Sequence, residues 1–318
     1  MARLQIWEMQ RLNIKSAKSF GKKEKDICRN ADAGAFIKEN LKGIEENNDC
    51  EYLVFKSPKP FSIYAEKRWD GIIEYSLDKV NWHEWSGESI TSDTIYMRGC
   101  GNSVITNGRR WRFETNDRLI CRGNIEMLLD YKLCVSGEHP PMKESCYSSM
   151  FSGGTSLSKA PSLPAKELAK GCYFGMFEGC TSLFESPSLP AKELAKYCYY
   201  SMFNGCTSLS EAPSLPAKEL ADSCYSYMFS GCTSLSKAPS LPAKELVDYC
   251  YHSMFKGCIS LSEAPSLPAK ELTEGCYYYM FSGCTSLSEA PSLPAKELVD
   301  RCYDFMFSGC ISLKDKQN

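Results

Sequence analysis

Hydrophobic and polar positions repeat every 26 residues over residues 146–313 of this 318-residue chain. One unit, residues 172–197, reads CYFGMFEGCTSLFESPSLPAKELAKY, and its Cys, Met, Phe and Leu positions return in the neighbouring units. Self-similarity at a period between about 20 and 50 residues predicts a stacked array, because one unit is too small to bury its apolar face alone. We therefore expect a solenoid whose function lies on an extended surface.

Each unit divides into two halves with different predicted structures. Cys172, Met176 and Cys180 lie four residues apart, which predicts one face of a short helix that ends at Gly179. Pro187 and Pro190 forbid a helix in the second half of the unit, where a short strand and a turn are expected. The predicted fold class is an α/β solenoid with one short strand and one short helix in each coil.

The part of the chain that precedes the array has a different organisation. Residues 1–47 predict a basic tail and a short amphipathic helix, and residues 48–123 a small antiparallel β domain. A turn signal at residues 76–82 predicts a hairpin inside that domain. Residues 124–145 echo the repeat around Met127 and predict a degenerate capping repeat, and residues 146–318 predict the solenoid of seven units. Short β-branched and aromatic runs predict strands at residues 51–55, 61–64, 72–75, 81–85, 94–97 and 111–113.

Cysteines of the array recur in register. Twelve of the eighteen form six pairs, each pair eight residues apart within its unit, as at Cys172 and Cys180. Stacked units place such residues in columns, where reduced thiols fill space as small apolar groups. Disulfides between adjacent coils are the alternative, because coils about 4.8 Å apart lie within the Cα separation that a disulfide spans.

Residues 203–217, FNGCTSLSEAPSLPA, resemble the repeat of the BspA-like leucine-rich-repeat surface proteins of bacteria. The resemblance covers residues 146–313, and the module that precedes them is similar to the small β domain that often stands before such arrays. It implies a right-handed leucine-rich-repeat solenoid that is exported to the cell surface for adhesion or protein recognition. The first 26 residues show no secretory signal, which leaves a cytoplasmic or fragmentary origin as the alternative.

Composition and motifs exclude several classes of function. A formal net charge of −2 and 43% hydrophobic residues describe a soluble, folded protein without a reason to bind nucleic acid. No stretch approaches the roughly 18 apolar residues of a membrane span. His83, His139 and His252 lie in no catalytic or metal-binding motif, and no Gly-rich phosphate loop is present. We expect no enzyme activity, metal or cofactor.

Variable positions of the repeat provide the candidate binding residues. Positions at which Gly, Tyr, Asp and His alternate cannot be core positions, since stacked core residues must match in volume, and tyrosine is frequent at protein interfaces. We expect a protein partner, such as an extracellular host protein, although these side chains would also serve to shield a helix edge from water. The binding candidates are Tyr197, Tyr200, Tyr227, Tyr249, His252, Tyr278, Tyr279 and Phe305.

Two alternatives use other parts of the chain. Trp82 and Trp85 would form a glycan platform on the β domain, with the repeats as a stalk, although a half-buried core face of a strand is the favoured interpretation. The array has no evident cap after Leu313, and an open coil edge predicts edge-to-edge self-association.

Overall fold

The computed structural model describes residues 52–314 of the chain, so the tail and helix predicted for residues 1–47 lie outside the described part. The described residues contain seven strands and one α-helix. The elements are β1 (Leu53–Tyr64), β2 (Ile72–Ser76), β3 (His83–Glu84), β4 (Ile90–Cys100), β5 (Arg112–Glu114), β6 (Leu119–Arg122), α1 (Met127–Val135) and β7 (Leu157–Lys159).

The strands form one sheet in the order β3-β2-β4-β1-β6-β7, with β5 also paired to β1. Pairs inside the β module are antiparallel, and β1 to β5 cover the six predicted runs. Two of those runs merge into β1, whose register shifts between Lys56 and Phe61. The predicted hairpin turn follows β2, where the Asp78 carboxylate accepts the N–H groups of Val80 (2.9 Å) and Asn81 (2.8 Å).

The sheet continues from the β module into the repeats. Strand β6 pairs with β7 in parallel, and β7 belongs to the first coil. Lys159 of β7 then forms a parallel bridge with Glu185, which bridges to Glu211 in the next coil. The strand predicted for every coil forms only in the first coil, as the three-residue β7, and the coils that follow have isolated bridging residues instead. In the described part of the repeats these are Glu185, Glu193, Glu211, Glu219, Lys237 and Glu263. The repeats therefore stack in parallel upon a sheet that begins in the β module.

The short helix predicted at the start of each coil does not form, and this prediction was wrong. Residues 145–153 and their equivalents are a run of turns, which we call the turn segment of each coil. Three of its residues have a positive φ at four-residue spacing, as at Gly171 (59°), Gly175 (56°) and Gly179 (70°). A left-handed residue at every fourth position interrupts any α-helix, yet it returns the chain to the same face every four residues. The turn segments comprise residues 145–153, 171–179, 197–205, 223–231, 249–257, 275–283 and 301–309.

Backbone hydrogen bonds of the turn segment alternate between two directions. Tyr173 donates its N–H to the carbonyl of Cys198 in the next coil (3.0 Å), whereas Phe174 donates to Gly171 within its own coil (3.1 Å). The same alternation gives five bonds of 2.7–3.1 Å across each of the six junctions between turn segments. Every second residue thus bonds to the following coil, which satisfies the buried backbone and fixes the register of the stack.

Side chains of the turn segments stack into columns inside the solenoid. The tyrosine that follows the first cysteine of each coil is buried in six coils, and Tyr173 and Tyr199 stack with ring centroids 5.9 Å apart. A phenylalanine column runs beside it, with Phe177 and Phe203 5.6 Å apart. Burial of each such ring contributes about 1.5–3 kcal/mol to the free energy of unfolding. The columns and the interior of the β module form one hydrophobic core.

The cysteines of the columns are free thiols, and all of them except the half-buried Cys310 are buried. Cys206 donates its S–H to the carbonyl of Phe177 in the preceding coil (3.0 Å), and this bond recurs from Cys180 (3.1 Å) to Cys310 (3.1 Å). A disulfide would remove this donor. Burial raises the pKa of the Cys180 and Cys232 thiols to about 12, so these thiols stay protonated at neutral pH.

The substitution Gly175→Ala tests whether this segment is a run of left-handed turns or a helix. Alanine stabilises a helix interior by about 1 kcal/mol relative to glycine, whereas a left-handed position costs an L-residue roughly 1–2 kcal/mol. The new Cβ would meet only the Glu178 carboxylate at 3.2 Å and Ser149 Oγ at 3.6 Å, so side-chain crowding is small. We expect urea unfolding to show a loss of about 1 kcal/mol. Glu178→Ala is the control for the neighbouring surface, and a stabilised Gly175→Ala protein would contradict the turn geometry.

Thiol titration tests the cysteine columns. Because the column thiols from Cys146 to Cys302 are buried, we expect them to react slowly with a thiol reagent in the native protein. After denaturation we expect all eighteen cysteines of the chain to react. The measurement is the number of reactive thiols per chain with and without denaturant, in the absence of reductant. A denatured protein that lacked most of its titratable thiols would instead show that disulfides join the coils.

Candidate functional site

Nine rings at variable positions of the turn segments form one continuous surface, which we call the aromatic band. Phe174 stacks on Tyr200 with centroids 4.7 Å apart, and Tyr200 contacts Tyr227 at 5.6 Å. Beyond Tyr227 the band continues through His252 at 4.7 Å. Stacked contacts at 5.2 Å (His252 to Tyr278) and 4.8 Å (Tyr279 to Phe305) complete it. The band consists of Phe174, Tyr197, Tyr200, Tyr227, Tyr249, His252, Tyr278, Tyr279 and Phe305.

The structure brings all eight sequence-predicted binding candidates into this band. Phe305 is 56% exposed and the other candidates are half-buried, so each ring keeps a part open to solvent. Phe174 is a member that the candidate set omitted, although it occupies the same variable column as Tyr200 and His252. Its ring lies at one end of the band and covers one face of Tyr200.

Backbone conformation distinguishes two kinds of band residue. Tyr197, Tyr227, Tyr249, Tyr279 and Phe305 have φ between 54° and 59°, in the left-handed region. Glycine or serine occupies the same positions in other coils, for example Gly175. An aromatic L-residue in this conformation costs roughly 1–2 kcal/mol of backbone energy. Five of the nine rings are therefore held at positions where glycine would avoid this backbone cost.

Tyr249 shows how one ring determines the residue in the next coil. A Cβ added to Gly275 would clash with the Tyr249 ring, so glycine is the residue that fits beneath the ring in this position. The Tyr249 hydroxyl donates to the Glu274 carboxylate, and Arg301 also contacts this hydroxyl. The Tyr249 ring is thereby fixed against the following coil at both of its ends.

Charged groups lie along the edges of the band. The Lys196 ammonium lies 5.4 Å from the Tyr197 ring centroid and pairs with Asp222 at 2.8 Å. Lys256 lies 5.1 Å from the Tyr279 ring centroid. The rings form an apolar strip between these charges, which resembles the division of a protein interface into an apolar centre and a polar rim.

His252 lies in the middle of the band without a charge at neutral pH. Its Nε2 lies 3.4 Å from the Tyr227 hydroxyl, and its ring is enclosed by Tyr227, Tyr249 and Tyr278. Burial lowers the pKa of His252 to about 4, and the positive charge of Lys256 acts in the same direction. The ring therefore contributes to the band as a neutral aromatic group.

The predicted glycan platform requires a correction. Trp85 is fully buried, where it stacks on Trp69 at 5.1 Å and contacts the edge of Trp111 at 4.9 Å. Trp82 is half-buried beneath the Arg98 guanidinium, which lies 3.9 Å from its ring centroid. Trp85 cannot present its ring to a sugar, so Trp82 and Trp85 do not form a shared platform. Burial inside the module is the role that strand residues of this type usually have.

A cleft of about 480 Å³ lies between residues 139–142, which follow α1, and residues 165–169 of the first coil. Glu126 lines it, almost fully buried, and one carboxylate oxygen accepts from His139 Nδ1 at 2.8 Å. The Asp78 carboxylate stabilises the turn after β2: hydrogen bonds from the N–H and side-chain groups of Asn81, and from the N–H of Val80, lower the pKa of Asp78.

In the part of the chain between residues 52 and 314, no group of three His, Cys, Asp or Glu side chains is placed to hold a metal ion. The helix described there is too short to cross a membrane.

His252→Phe tests the environment of the band. In the folded protein the pKa is about 4, below the ordinary value near 6.5, so between these values the unfolded chain binds more protons. Stability is therefore retained above pH 6.5 and lost as the pH falls towards 4. We expect unfolding free energy to fall less between pH 7 and pH 5 in His252→Phe than in the unmodified protein. Phe174 shows that the position accepts phenylalanine, and equal losses would contradict the burial of His252.

Comparison with known proteins identifies the family. A family model described as BspA type leucine rich repeat region matches six copies, over residues 154–288 and 214–317. No curated protein and no solved structure matches the chain. The matched residues together cover more than half of the chain and coincide with the stacked coils that carry the aromatic band. The chain belongs to the BspA type leucine rich repeat family.

Proposed function

We propose that this protein binds another protein through the aromatic band and acts as an adhesion or recognition protein at a bacterial cell surface. Its family is one of repeat-based interaction and surface proteins, which supports the general class. The proposal adds the surface that makes the contact and gives the repeats, rather than the β module, the binding role.

The observation that carries this proposal is the continuity of the nine rings. Each ring contacts the next across six coils, with centroids 4.5–6.3 Å apart. Coils spaced by about 4.8 Å make the band about 24 Å long, which approaches the width of a standard protein interface of about 800 Å² per partner. Aromatic rings are also the side chains that most often dominate binding energy at such interfaces.

Backbone strain gives a second argument. Tyr197, Tyr227, Tyr249, Tyr279 and Phe305 occupy left-handed positions where glycine would avoid the backbone cost. Strained residues that do not improve packing in the core are frequent at functional sites. The contribution of these rings to stability is limited by their exposure, so we assign their role to binding.

The charges around the band indicate the kind of partner. Neutral His252 and the tyrosine rings form the centre, and Lys196 and Lys256 lie at the edges beside acidic residues such as Asp222 and Glu274. A complementary partner has an apolar or aromatic patch whose polar groups bond to the tyrosine hydroxyls. The edges of the band carry both positive and negative groups, so the band does not favour a partner with a strong charge of one sign.

A triple variant, Tyr200→Ser, Tyr227→Ser and Tyr278→Ser, tests the proposed surface. Ser226 occupies the position of Tyr200 and Tyr278 in another coil, and Ser253 that of Tyr227, so the turn segments accept these changes. We expect the labelled 318-residue chain to bind specific proteins of an array that presents both extracellular proteins and glycans. The triple variant should lose at least tenfold in affinity for them, with unchanged circular dichroism, because interface aromatic anchors each contribute about 2 kcal/mol or more.

The control variant removes exposed side chains from another surface of the same coils. Lys218→Ser, Lys244→Ser and Lys270→Ser change three exposed residues at equivalent repeat positions outside the band. Binding should persist in this variant. Protein binding that survives the tyrosine substitutions, or binding of glycans alone, would overturn the proposal.

A further inference from the structure

The Glu126 carboxylate is a buried group that this structure satisfies at only one of its two oxygens. Glu126 is 1% exposed, and its Oε2 atom accepts a hydrogen bond from His139 Nδ1 at 2.8 Å. Its Oε1 atom is buried and has no hydrogen-bond partner among the described residues. A carboxylate oxygen that is removed from water without a donor is unfavourable, so Oε1 is available to a donor from a ligand.

Local hydrogen bonds hold Glu126 in this position. The Asn124 side chain accepts the N–H group of Glu126 at 2.8 Å, and the Glu126 carbonyl accepts the N–H group of Leu129 at 2.9 Å. Glu126 directly precedes α1, so the turn before the helix and the first turn of the helix both fix its backbone. A carboxylate held in this way loses little freedom when a ligand binds, which favours affinity.

Glu126 lines the cleft of about 480 Å³ that lies between residues 139–142 and residues 165–169. This volume is within the range of roughly 300–1,000 Å³ that small-molecule sites have. Proline, methionine, alanine and leucine side chains line much of the cleft, and no Phe, Tyr or Trp among the described residues lines it. The cleft therefore combines aliphatic walls with one buried carboxylate.

The charges at the cleft favour a cationic donor. No lysine or arginine of the described residues forms an ion pair with Glu126, whose ion-pairing partner is His139, a residue that is charged only when protonated. Lys166 and Glu167 line the cleft as exposed residues of opposite charge. An ammonium group suits the free oxygen best, because hydrogen bonds between charged groups are about twice as strong as those between neutral groups.

A neighbouring cleft of the array lacks the buried carboxylate. It lies between residues 166–168 and 190–194, and the charged side chains that line it are all exposed. Glu126 belongs to the segment before the first coil, so the repeats do not reproduce it. The first cleft therefore differs from its neighbour by a single buried charged group.

We propose that the cleft lined by Glu126, which we call the Glu126 cleft, binds a primary ammonium group carried on an aliphatic chain. The ammonium group donates to Glu126 Oε1, and the methylene groups of the chain lie against the apolar side chains of the cleft. A lysine side chain and a free alkylamine both have this chemistry. The site lies outside the aromatic band and does not rest on the function proposed for that band.

Three pentyl compounds separate charge, hydrogen bonding and apolar contact. Pentylammonium has a charge and N–H donors, pentyltrimethylammonium has the same charge without a donor, and 1-pentanol has a neutral donor. Each is titrated into the 318-residue chain, and nuclear magnetic resonance follows the His139 ring and the Met142 methyl group. We expect saturable one-site shifts with pentylammonium and about tenfold weaker binding of the other two compounds.

Matched variants locate the binding within the cleft. Glu126→Gln keeps the shape of the side chain but removes its charge, and it should weaken pentylammonium binding about tenfold. Glu167→Gln removes an exposed carboxylate of the same cleft, and it should change the affinity by less than about twofold, because exposed charges contribute little. Circular dichroism checks that both variants keep the fold.

The proposal is wrong if pentylammonium gives no saturable shifts, or if it binds no more tightly than pentyltrimethylammonium. Undiminished binding by folded Glu126→Gln would also contradict it. The comparison of compounds uses the unmodified chain, so it decides the question even when Glu126→Gln does not fold. None of these measurements involves the partner proposed for the aromatic band, so the two proposals can fail separately.

A further titration distinguishes the two sources of the ammonium group. Nα-acetyl-lysine amide presents the same group on a peptide backbone. If it binds more tightly than pentylammonium, the result supports a lysine side chain of another protein as the ligand. Tighter binding of pentylammonium supports a free alkylamine.

Discussion

Hydrogen bonds between successive turn segments set the register in which the coils of this protein stack. Each segment places a left-handed residue at every fourth position, so that alternate N–H groups point along the stack. Five bonds at every junction then fix one coil directly against the next. The stacked tyrosine and phenylalanine columns, the buried thiols and the parallel bridges from Lys159 onward all follow from this register.

The same register creates the surface proposed for binding. Positions that face inward must accept equal side chains in every coil, and they do: Cys, Tyr, Met and Phe recur with little change. Positions that face outward are free to differ. At these positions several coils carry aromatic residues, and their rings contact one another from Phe174 to Phe305. The backbone determines that these rings meet, and the sequence of each coil determines which ring it contributes.

Much of this architecture could be predicted from the sequence, because a 26-residue period identifies stacking and variable positions within a constant frame identify the surface. The prediction of a helix in each coil was wrong for a physical reason. Cys172, Met176 and Cys180 return to one face every four residues, and both an α-helix and a chain of left-handed turns produce that spacing. Glycines at 171, 175 and 179 carried the distinguishing signal, since one helix does not need three of them.

Other features depend on contacts that no local pattern contains. The pairing of β6 with β7 joins residues about 38 positions apart, so the continuation of the sheet into the repeats could not be inferred from either segment. Trp82 and Trp85 lie in the same predicted strand with similar neighbours. Only Trp69 and Trp111, distant in sequence, determine that Trp85 is buried.

Scalar couplings through hydrogen bonds, detected by nuclear magnetic resonance, would distinguish the turn-segment stack from a helix. We expect a coupling from the amide nitrogen of Tyr225 to the carbonyl carbon of Cys250, 25 residues later, and from Tyr227 to His252. Couplings from these nitrogens to carbonyls four residues earlier in the chain would instead show a helix and contradict the turn-segment stack.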